Sequence, residues 1–339
     1  MEPIVYRIAL AGLGNVGASL LSILHKESES LQTRYGVRFH VTGVAELGGG
    51  AINDEGLDLG LLLDTLAAKQ MVSALPDIGR AGMQASELLK LAKPDFLLEA
   101  TPVNLKDAEP GLSSVRAALK AGVNVVLANK GPVVLGYKEL SELAVANGAG
   151  FKYSATVCGG LPVLNIGRRD MIAADISKIS GVFNGTSNFI FDALKNGDSF
   201  EQAIIEAQNV GAAEADPSLD TGGWDTAFKL LIIANHMLGA NISLSDIDVT
   251  GIEDITPKMI TAENDLGNTI KLVARIEDGQ YTVKPEVIEK ESFLGSIDGW
   301  EMGVEIHSDI YGISYHKLYE KEPIPTAASM MRDAVNIFI

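Results

Sequence analysis

Four carboxylates and a lysine crowd the stretch GAAEADPSLDTGGWDTAFK, where Glu214, Asp216, Asp220 and Asp225 precede Lys229. Carboxylates can hold a substrate ammonium group, and a lysine beside an acid can move a proton to or from a hydroxyl or carbonyl oxygen. Pro217 and the Gly222-Gly223 pair break the run into a loop. The residues after it, FKLLIIANHMLG, are apolar at helical spacing and stop at a glycine. Asp225 and Lys229 therefore fall i,i+4 on the opening turns of a helix expected over 224–238. The same pattern also fits a solvated acidic loop with Asp225 at the positive end of a helix dipole. For Asp216 the structural reading is kept: it fixes the turn at Pro217.

A second group of candidates lies near the N-terminus. An apolar strand, Tyr6 to Ala11, runs directly into Gly12-Leu13-Gly14-Asn15-Val16-Gly17, and a helix-forming segment follows from Ala18. In this order Gly12 allows a tight turn, Gly14 lets the backbone approach a pyrophosphate, and Gly17 lets the helix pack close to its strand. The helix N-terminus then offers N–H donors to the phosphates. A second strand, Phe39 to Ala45, closes at Glu46, where an acid hydrogen-bonds adenosine ribose hydroxyls and repels a 2′-phosphate. No Arg or Lys stands in Leu47-Gly48-Gly49-Gly50-Ala51, so the pattern leans to NAD over NADP.

These residues need a scaffold, and the next hundred positions supply one. Helical segments at 86–91, 114–121 and 137–146 alternate with apolar strands at 95–100, 123–128 and 150–153. Such alternation implies a doubly wound parallel sheet of Rossmann type. Ligands bind beyond the carboxyl ends of its strands, which is where Thr101 and Asn129-Lys130 fall. Lys130 is equally well read as a solvated loop lysine until a partner is found for it.

From Thr156 the character changes. A glycine-rich link, Thr156 to Pro162, leads into helices at 187–196, 200–209 and 224–238 and strands at 176–182, 269–277, 281–289 and 303–308. The later strands are joined by tight turns such as Glu277-Asp278-Gly279-Gln280 and are expected to be antiparallel. The expected organisation is a dinucleotide-binding domain over 1–155, with 310–339 returning to it. An α+β catalytic and dimerisation domain over 156–309 follows. The strongly β-forming strands of that domain suit a homodimer interface as well as a substrate site.

Composition bounds the alternatives. The chain has 339 residues, 47% hydrophobic and 21% charged, enough for two folded domains. A net charge of −17 disfavours nucleic acid and anionic membrane as partners. One cysteine, no signal-peptide layout and no apolar run of membrane-spanning length fit a cytoplasmic protein with a small-molecule substrate. His25, His40, His236, His307 and His316 show no metal-ligand spacing, and Cys158 has no cysteine partner.

Several stretches, in order and over nearly the whole chain, resemble the homoserine dehydrogenase family in its short form, without kinase or regulatory domains. They are Gly12-x-Gly14-x-x-Gly17, Ala128-Asn129-Lys130, Ala155-Thr156-Val157-x-Gly159-Gly160-Leu161-Pro162 and Asn184-Gly185-Thr186-Ser187-Asn188. The acidic run Glu214-Ala215-Asp216-Pro217-x-Leu219-Asp220 follows, with Asp225 and Lys229 behind it, and then Pro325-Thr326-Ala327. The resemblance implies NAD(P)-dependent interconversion of L-homoserine and L-aspartate 4-semialdehyde, on the route to threonine and methionine. It implies Lys130 and Lys229 as catalytic lysines, with Asp225 orienting Lys229 and holding it protonated. Glu214, Asp220 and Asp225 would hold the substrate, Glu214 through its ammonium group, and Thr101 and Lys130 would lie against the cofactor.

It also implies a Na⁺ or K⁺ site built from the carbonyls of Val157, Gly159 and Leu161. The family's glutamate just before that stretch is Ser154 here. The family's glycine-rich loop before Thr326 is replaced by Leu318-Tyr319-Glu320-Lys321-Glu322-Pro323-Ile324. Two other readings remain open at this level: another amino-acid or sugar dehydrogenase of Rossmann type, and an inactive NAD(P)-binding sensor.

Overall fold

In a computed structural model, which describes residues 3–338, the chain forms two compact units. The first comprises 1–160 and 322–339, the second 161–321. The first unit is built on a sheet of seven strands: β1 (Ile4–Ala11), β2 (Val37–Glu46), β3 (Gly49–Ile52), β4 (Gly79–Ala81), β5 (Phe96–Glu99), β6 (Asn124–Leu127) and β7 (Phe151–Lys152). Their spatial order is β4-β3-β2-β1-β5-β6-β7. Pairing is parallel from β2 through β1, β5 and β6 to β7. In β1 the consecutive residues Ile8, Ala9 and Leu10 are all buried, as are Leu97-Leu98 and Val125-Val126 in its neighbours. Successive side chains point to opposite faces, so both faces of this sheet are covered, as a doubly wound parallel sheet requires.

The strand order reverses at β1, with β2 on one side and β5 on the other. This is the switch point where such sheets bind ligands. Two strands of this unit were not foreseen. β3 and β4 extend the β2 edge in antiparallel fashion. Their sequences, GGAI and GRA, carry almost no β-forming side chains, and it is pairing, of β3 with β2 and of β4 with β3, that makes them strands.

The C-terminal helix Ile324–Val335 packs on the Asn15–Tyr35 helix through Ala327, Met330, Met331, Ala334 and Val335. Beyond it, Phe338 stacks on Tyr6 of β1 at 4.8 Å between ring centroids. The chain thus returns to its first unit at 322. The segment 310–321, expected in that unit, belongs to the second, because most of it is a strand there.

The second unit holds a six-stranded sheet: β8 (Ile176–Val182), β9 (Asp248–Val249), β10 (Asn268–Glu277), β11 (Gln280–Glu289), β12 (Glu301–Ser308) and β13 (Gly312–Tyr319). Its order is β13-β12-β8-β10-β11-β9. All pairings are antiparallel except β11 with β9. The β10–β11 hairpin turns through Asp278 and Gly279, both at positive φ as a two-residue turn demands. The helices Gly185–Lys195 and Trp224–Met237 pack on β10. Leu318 and Tyr319 lie in β13, so the segment expected as a long loop before Thr326 is only the short link 320–323.

Candidate active site

In the second unit the acidic run is drawn together around one asparagine. Asn184 follows the end of β8 and caps the Gly185–Lys195 helix, its Oδ1 accepting from the Ser187 N–H at 2.8 Å. That bond orients the amide so that Nδ2 donates to Asp220 Oδ1 at 2.6 Å and to Asp225 Oδ2 at 3.0 Å. Asp225 sits in the first turn of the Trp224–Met237 helix, and one turn later Lys229 Nζ meets its Oδ2 at 2.8 Å. Lys229 Nζ also donates to the Phe183 carbonyl at 2.6 Å.

The Asp225 and Lys229 side chains are only 12% and 13% exposed, so the pair is held in a largely desolvated position where Coulombic attraction is strong. Helix spacing alone brings these two residues within reach. The helix entry and Asn184 add Asp220 to the same cluster. Asn184 was not singled out in the sequence, although it opens the N-G-T-S-N motif and is a strong N-cap residue type.

Two other members of the acidic run stand apart. Asp216 accepts the Ser218 N–H at 3.1 Å across Pro217, which makes it the turn-former expected of it; hydrogen bonding from the Ser218 side chain, and then from its backbone N–H, keeps the carboxyl below the usual range. Glu214 is exposed. Gln208 Nε2 holds its backbone carbonyl at 3.0 Å, leaving the Glu214 carboxylate on the loop surface. Because Asn184 ties Asp220 to Asp225, Asn184→Ala is expected to lower kcat by about one to two orders of magnitude, on the scale of removing a positioning hydrogen bond, while leaving nucleotide affinity intact. Steady-state kinetics beside a nucleotide-binding titration checks this.

In the first unit the glycine turn has the geometry that a dinucleotide phosphate needs. A Cβ on Gly12 (φ +94°) would stand 2.3 Å from the Ala100 carbonyl oxygen, and one on Gly17 would stand 2.0 Å from the Gly12 carbonyl oxygen. Both are therefore fixed as glycine by the close approach of β1, β5 and the helix. A Cβ on Gly14 would meet nothing within 4 Å. The open space lies over the N-terminus of the Asn15–Tyr35 helix, which has no side-chain cap among the described residues and no acid in its first turn. Its N–H groups and dipole are left for an anionic ligand. Gly14 and Asn15 are exposed, and Leu13 and Val16 pack on the core beneath. Gly17→Ala should abolish nucleotide binding, because the added methyl pushes the helix off the turn. Fluorescence titration with NADH measures that loss.

Glu46 ends β2, and its Oε1 accepts the Val72 N–H at 2.6 Å, which orients the carboxylate. Thr101 and Lys130 stand beyond the ends of the adjacent parallel strands β5 and β6. Lys130 is the residue from which the Gly131–Ala146 helix starts.

Beneath Thr101 lies a group that the sequence reading missed. Glu99, the last residue of β5, is fully buried, and its Oε1 accepts both the N–H and the hydroxyl of Thr101. Asn129 Nδ2 donates to the same Thr101 hydroxyl at 3.1 Å, and its Oδ1 accepts the Gly131 N–H at 2.9 Å. Burial pushes the Glu99 carboxyl up to about 7. An acid closing a buried strand was the available signal, the same one that marked Glu46.

The carbonyls implied as cation ligands are already engaged in two of three cases. Gly159 O accepts the Ser329 hydroxyl at 2.9 Å, and Leu161 O accepts the Val163 N–H at 2.9 Å. Ser154, in place of the family's carboxylate, gives both its N–H and its hydroxyl to Asp333, each at 2.7 Å. This donor set does not fit a bound monovalent cation. Among the described residues no group of three or more His, Cys, Asp or Glu could hold a metal ion.

A doubly wound sheet with an uncapped glycine turn, followed by an α+β unit carrying a buried Asp–Lys pair, defines a nicotinamide-dependent oxidoreductase of two units. Comparison with known proteins narrows the class. The family model for homoserine dehydrogenase matches residues 162–335. A homoserine dehydrogenase of Methanocaldococcus jannaschii is 34% identical over 71% of this chain and 72% of its own. An NAD(+)-dependent homoserine dehydrogenase of Pseudomonas canavaninivorans is 35% identical over 71% of this chain and 69% of its own. The structure of a hyperthermophilic archaeal homoserine dehydrogenase mutant in complex with NADPH superimposes with a TM-score of 0.86 at 25% identity, covering 98% of each chain. The chain belongs to the homoserine dehydrogenase family.

Proposed function

We propose that this protein interconverts L-homoserine and L-aspartate 4-semialdehyde with a nicotinamide cofactor, on the route to threonine and methionine. The observation that carries this reading is the Asp225–Lys229 pair, 2.8 Å apart and tied through Asn184 to Asp220, within a fold of this family. Oxidation of a primary alcohol removes a proton from oxygen and a hydride from carbon. The bound nicotinamide supplies the acceptor for that hydride, or its donor in the reverse direction.

The chain's own residues do the rest. As the alcohol is oxidised, the neutral amine form of Lys229 takes the hydroxyl proton and becomes the ammonium; as the aldehyde is reduced, that ammonium returns the proton to the carbonyl oxygen, where negative charge develops. Asp225 fixes the direction of the Lys229 ammonium. Asp220, Asp225 and, from the loop, Glu214 are assigned to the amino-acid substrate, with Glu214 meeting its ammonium group. Lys130 is assigned as the second catalytic lysine and, with Thr101, as a neighbour of the cofactor. The turn Gly12–Gly17 is assigned to the pyrophosphate. The direct test compares L-homoserine with 4-hydroxybutanoate, which lacks the ammonium. Loss of that charge–charge contact should lower kcat/KM by at least two orders of magnitude. Equal use of both compounds would favour a dehydrogenase of another substrate class.

Glu46 supports NAD over NADP. Its carboxylate is held at the end of β2, where it would accept ribose hydroxyls and repel a 2′-phosphate. With both cofactors at equal concentration, turnover with NAD is expected to exceed that with NADP, and Glu46→Gln should narrow the gap. A wild-type preference for NADP would overturn the assignment.

The second sheet supports a homodimer. Along β13 the exposed residues Ile313, Tyr315 and Tyr319 share one face, interrupted by the exposed Lys317, on an edge strand whose large apolar side chains a monomer would leave in water. The first unit is proposed as the nucleotide-binding domain and the second as the catalytic and dimerisation domain. A single cysteine, the buried Cys158, fits a reducing cytoplasm.

A further inference from the structure

Within the first unit, Arg332 lies at the centre of a network that spans most of the chain's length. Its Nη2 donates to the Ser154 hydroxyl at 3.1 Å and to the Ser329 hydroxyl at 3.0 Å. Each serine passes the polarisation on. Ser154 Oγ donates to Asp333 Oδ1, and Ser329 Oγ donates to the Gly159 carbonyl at 2.9 Å. Arg332 Nη1 reaches the Gly160 carbonyl at 3.5 Å. Asp333 is buried, and its second oxygen accepts the Ser154 N–H at 2.7 Å.

A positive charge therefore faces the turn 154–160, linked through Ser154 to Asp333, whose carboxyl is pushed up by burial. The turn itself needs such support: Cys158 and Gly159 both adopt positive φ, and Cys158 does so with a side chain that disfavours it. The family resemblance implies a bound monovalent cation at the carbonyls of this turn. Here a guanidinium on the adjacent helix supplies the charge, and the two serines extend its reach.

We infer that Arg332, acting through Ser154 and Ser329, is a built-in substitute for a monovalent cation at this turn, so that the protein neither binds nor needs K⁺ or Na⁺ there. A metal ion entering the turn would meet a like charge held beside it and carbonyls already bonded to internal donors. Arg332 is a positioning residue: it sets the conformation of the Gly159-Gly160 turn and touches no reacting atom. The same exchange explains Ser154. With a fixed cation in place, a carboxylate at 154 would duplicate Asp333 and repel it.

The experiment compares K⁺, Na⁺ and tetramethylammonium at matched ionic strength, reading thermal melting of the whole protein and the rate of homoserine oxidation. Melting reports the turn whether or not the proposed substrate is right, so the two readings fail separately. The wild-type protein should show the same melting temperature and rate in all three salts. A saturable rise of either with K⁺ or Na⁺, absent with tetramethylammonium, would overturn the inference. Arg332→Gln keeps much of the side chain's shape and removes its charge. It should melt lower, and K⁺ should recover part of the loss with a saturable dependence. Should that variant not fold, Arg332→Lys, which restores a positive charge, should melt close to the wild type without any cation response. A variant lacking the charge that matches the wild type in all three salts would also overturn the inference.

Discussion

Replacing Lys229 with alanine is expected to lower kcat by roughly two to four orders of magnitude, the range supplied by a positioned general acid–base group. NAD(P) affinity should be unchanged, because the glycine turn and helix N-terminus proposed to hold the phosphates lie in the first unit. The substitution also strands Asp225, whose side chain is 12% exposed, without the cation that meets it at 2.8 Å. Breaking a buried pair in this way costs about 3–5 kcal/mol at full burial, so the variant should melt well below the wild type. Two effects are then superimposed, and they separate on rescue. Methylammonium added to the medium can occupy the vacated space and return part of the rate without restoring the lysine's tether. A Lys229→Ala protein that folds and turns over near the wild-type rate would remove Lys229 from the chemistry.

The second large effect is thermodynamic and sits at Glu99. Burial raises its carboxyl from the ordinary value of 4.5 to about 7 in the folded protein. Below about pH 4.5 the group is protonated in both folded and unfolded chains and imposes no penalty. Between 4.5 and 7 the unfolded chain loses the proton while the folded one keeps it, so stability falls as the pH rises through this window. Above 7 the loss is complete, at about 3 kcal/mol for a shift of this size. Glu99→Gln carries no titrating group and presents an amide where the protonated acid stood. Urea unfolding at pH 5, 7 and 8.5 should show the variant gaining on the wild type as the pH rises, by about 3 kcal/mol across the range. A gap that stays constant with pH would mean that Glu99 titrates normally. Oε1 of Glu99 also receives both donors of Thr101. The amide matches the protonated acid and not the carboxylate, so the same variant should disturb the carboxyl end of the first sheet more at high pH than at low pH.

Much of this molecule was legible in its sequence, for identifiable reasons. The parallel strands read clearly because buried strands covered on both faces are continuous apolar runs, and β1, β5 and β6 are such runs. The Asp225–Lys229 pair read clearly because helix geometry alone fixes an i,i+4 contact. The glycine turn did so because its three glycines occupy different steric positions, two of them obligatory within the chain itself. What failed was whatever depends on distant partners. The strands β3 and β4 have little intrinsic β-preference and are made by their neighbour. β13 alternates exposed and half-buried residues, yet its place beside β12 could not be read from its own residues. The network of Ser154, Ser329, Arg332 and Asp333 joins positions nearly 180 residues apart, and no local pattern marks it. Asn184 lies between these cases: its role as a helix cap is local, whereas its hold on Asp220 and Asp225 is not.

The proposed activity is measured most directly as reduction of L-aspartate 4-semialdehyde by the purified protein, followed as loss of reduced-nicotinamide absorbance with the product identified by chromatography. The expected result is stoichiometric formation of L-homoserine, reversed when L-homoserine and oxidised cofactor are supplied. Tight cofactor binding with no conversion in either direction would contradict it.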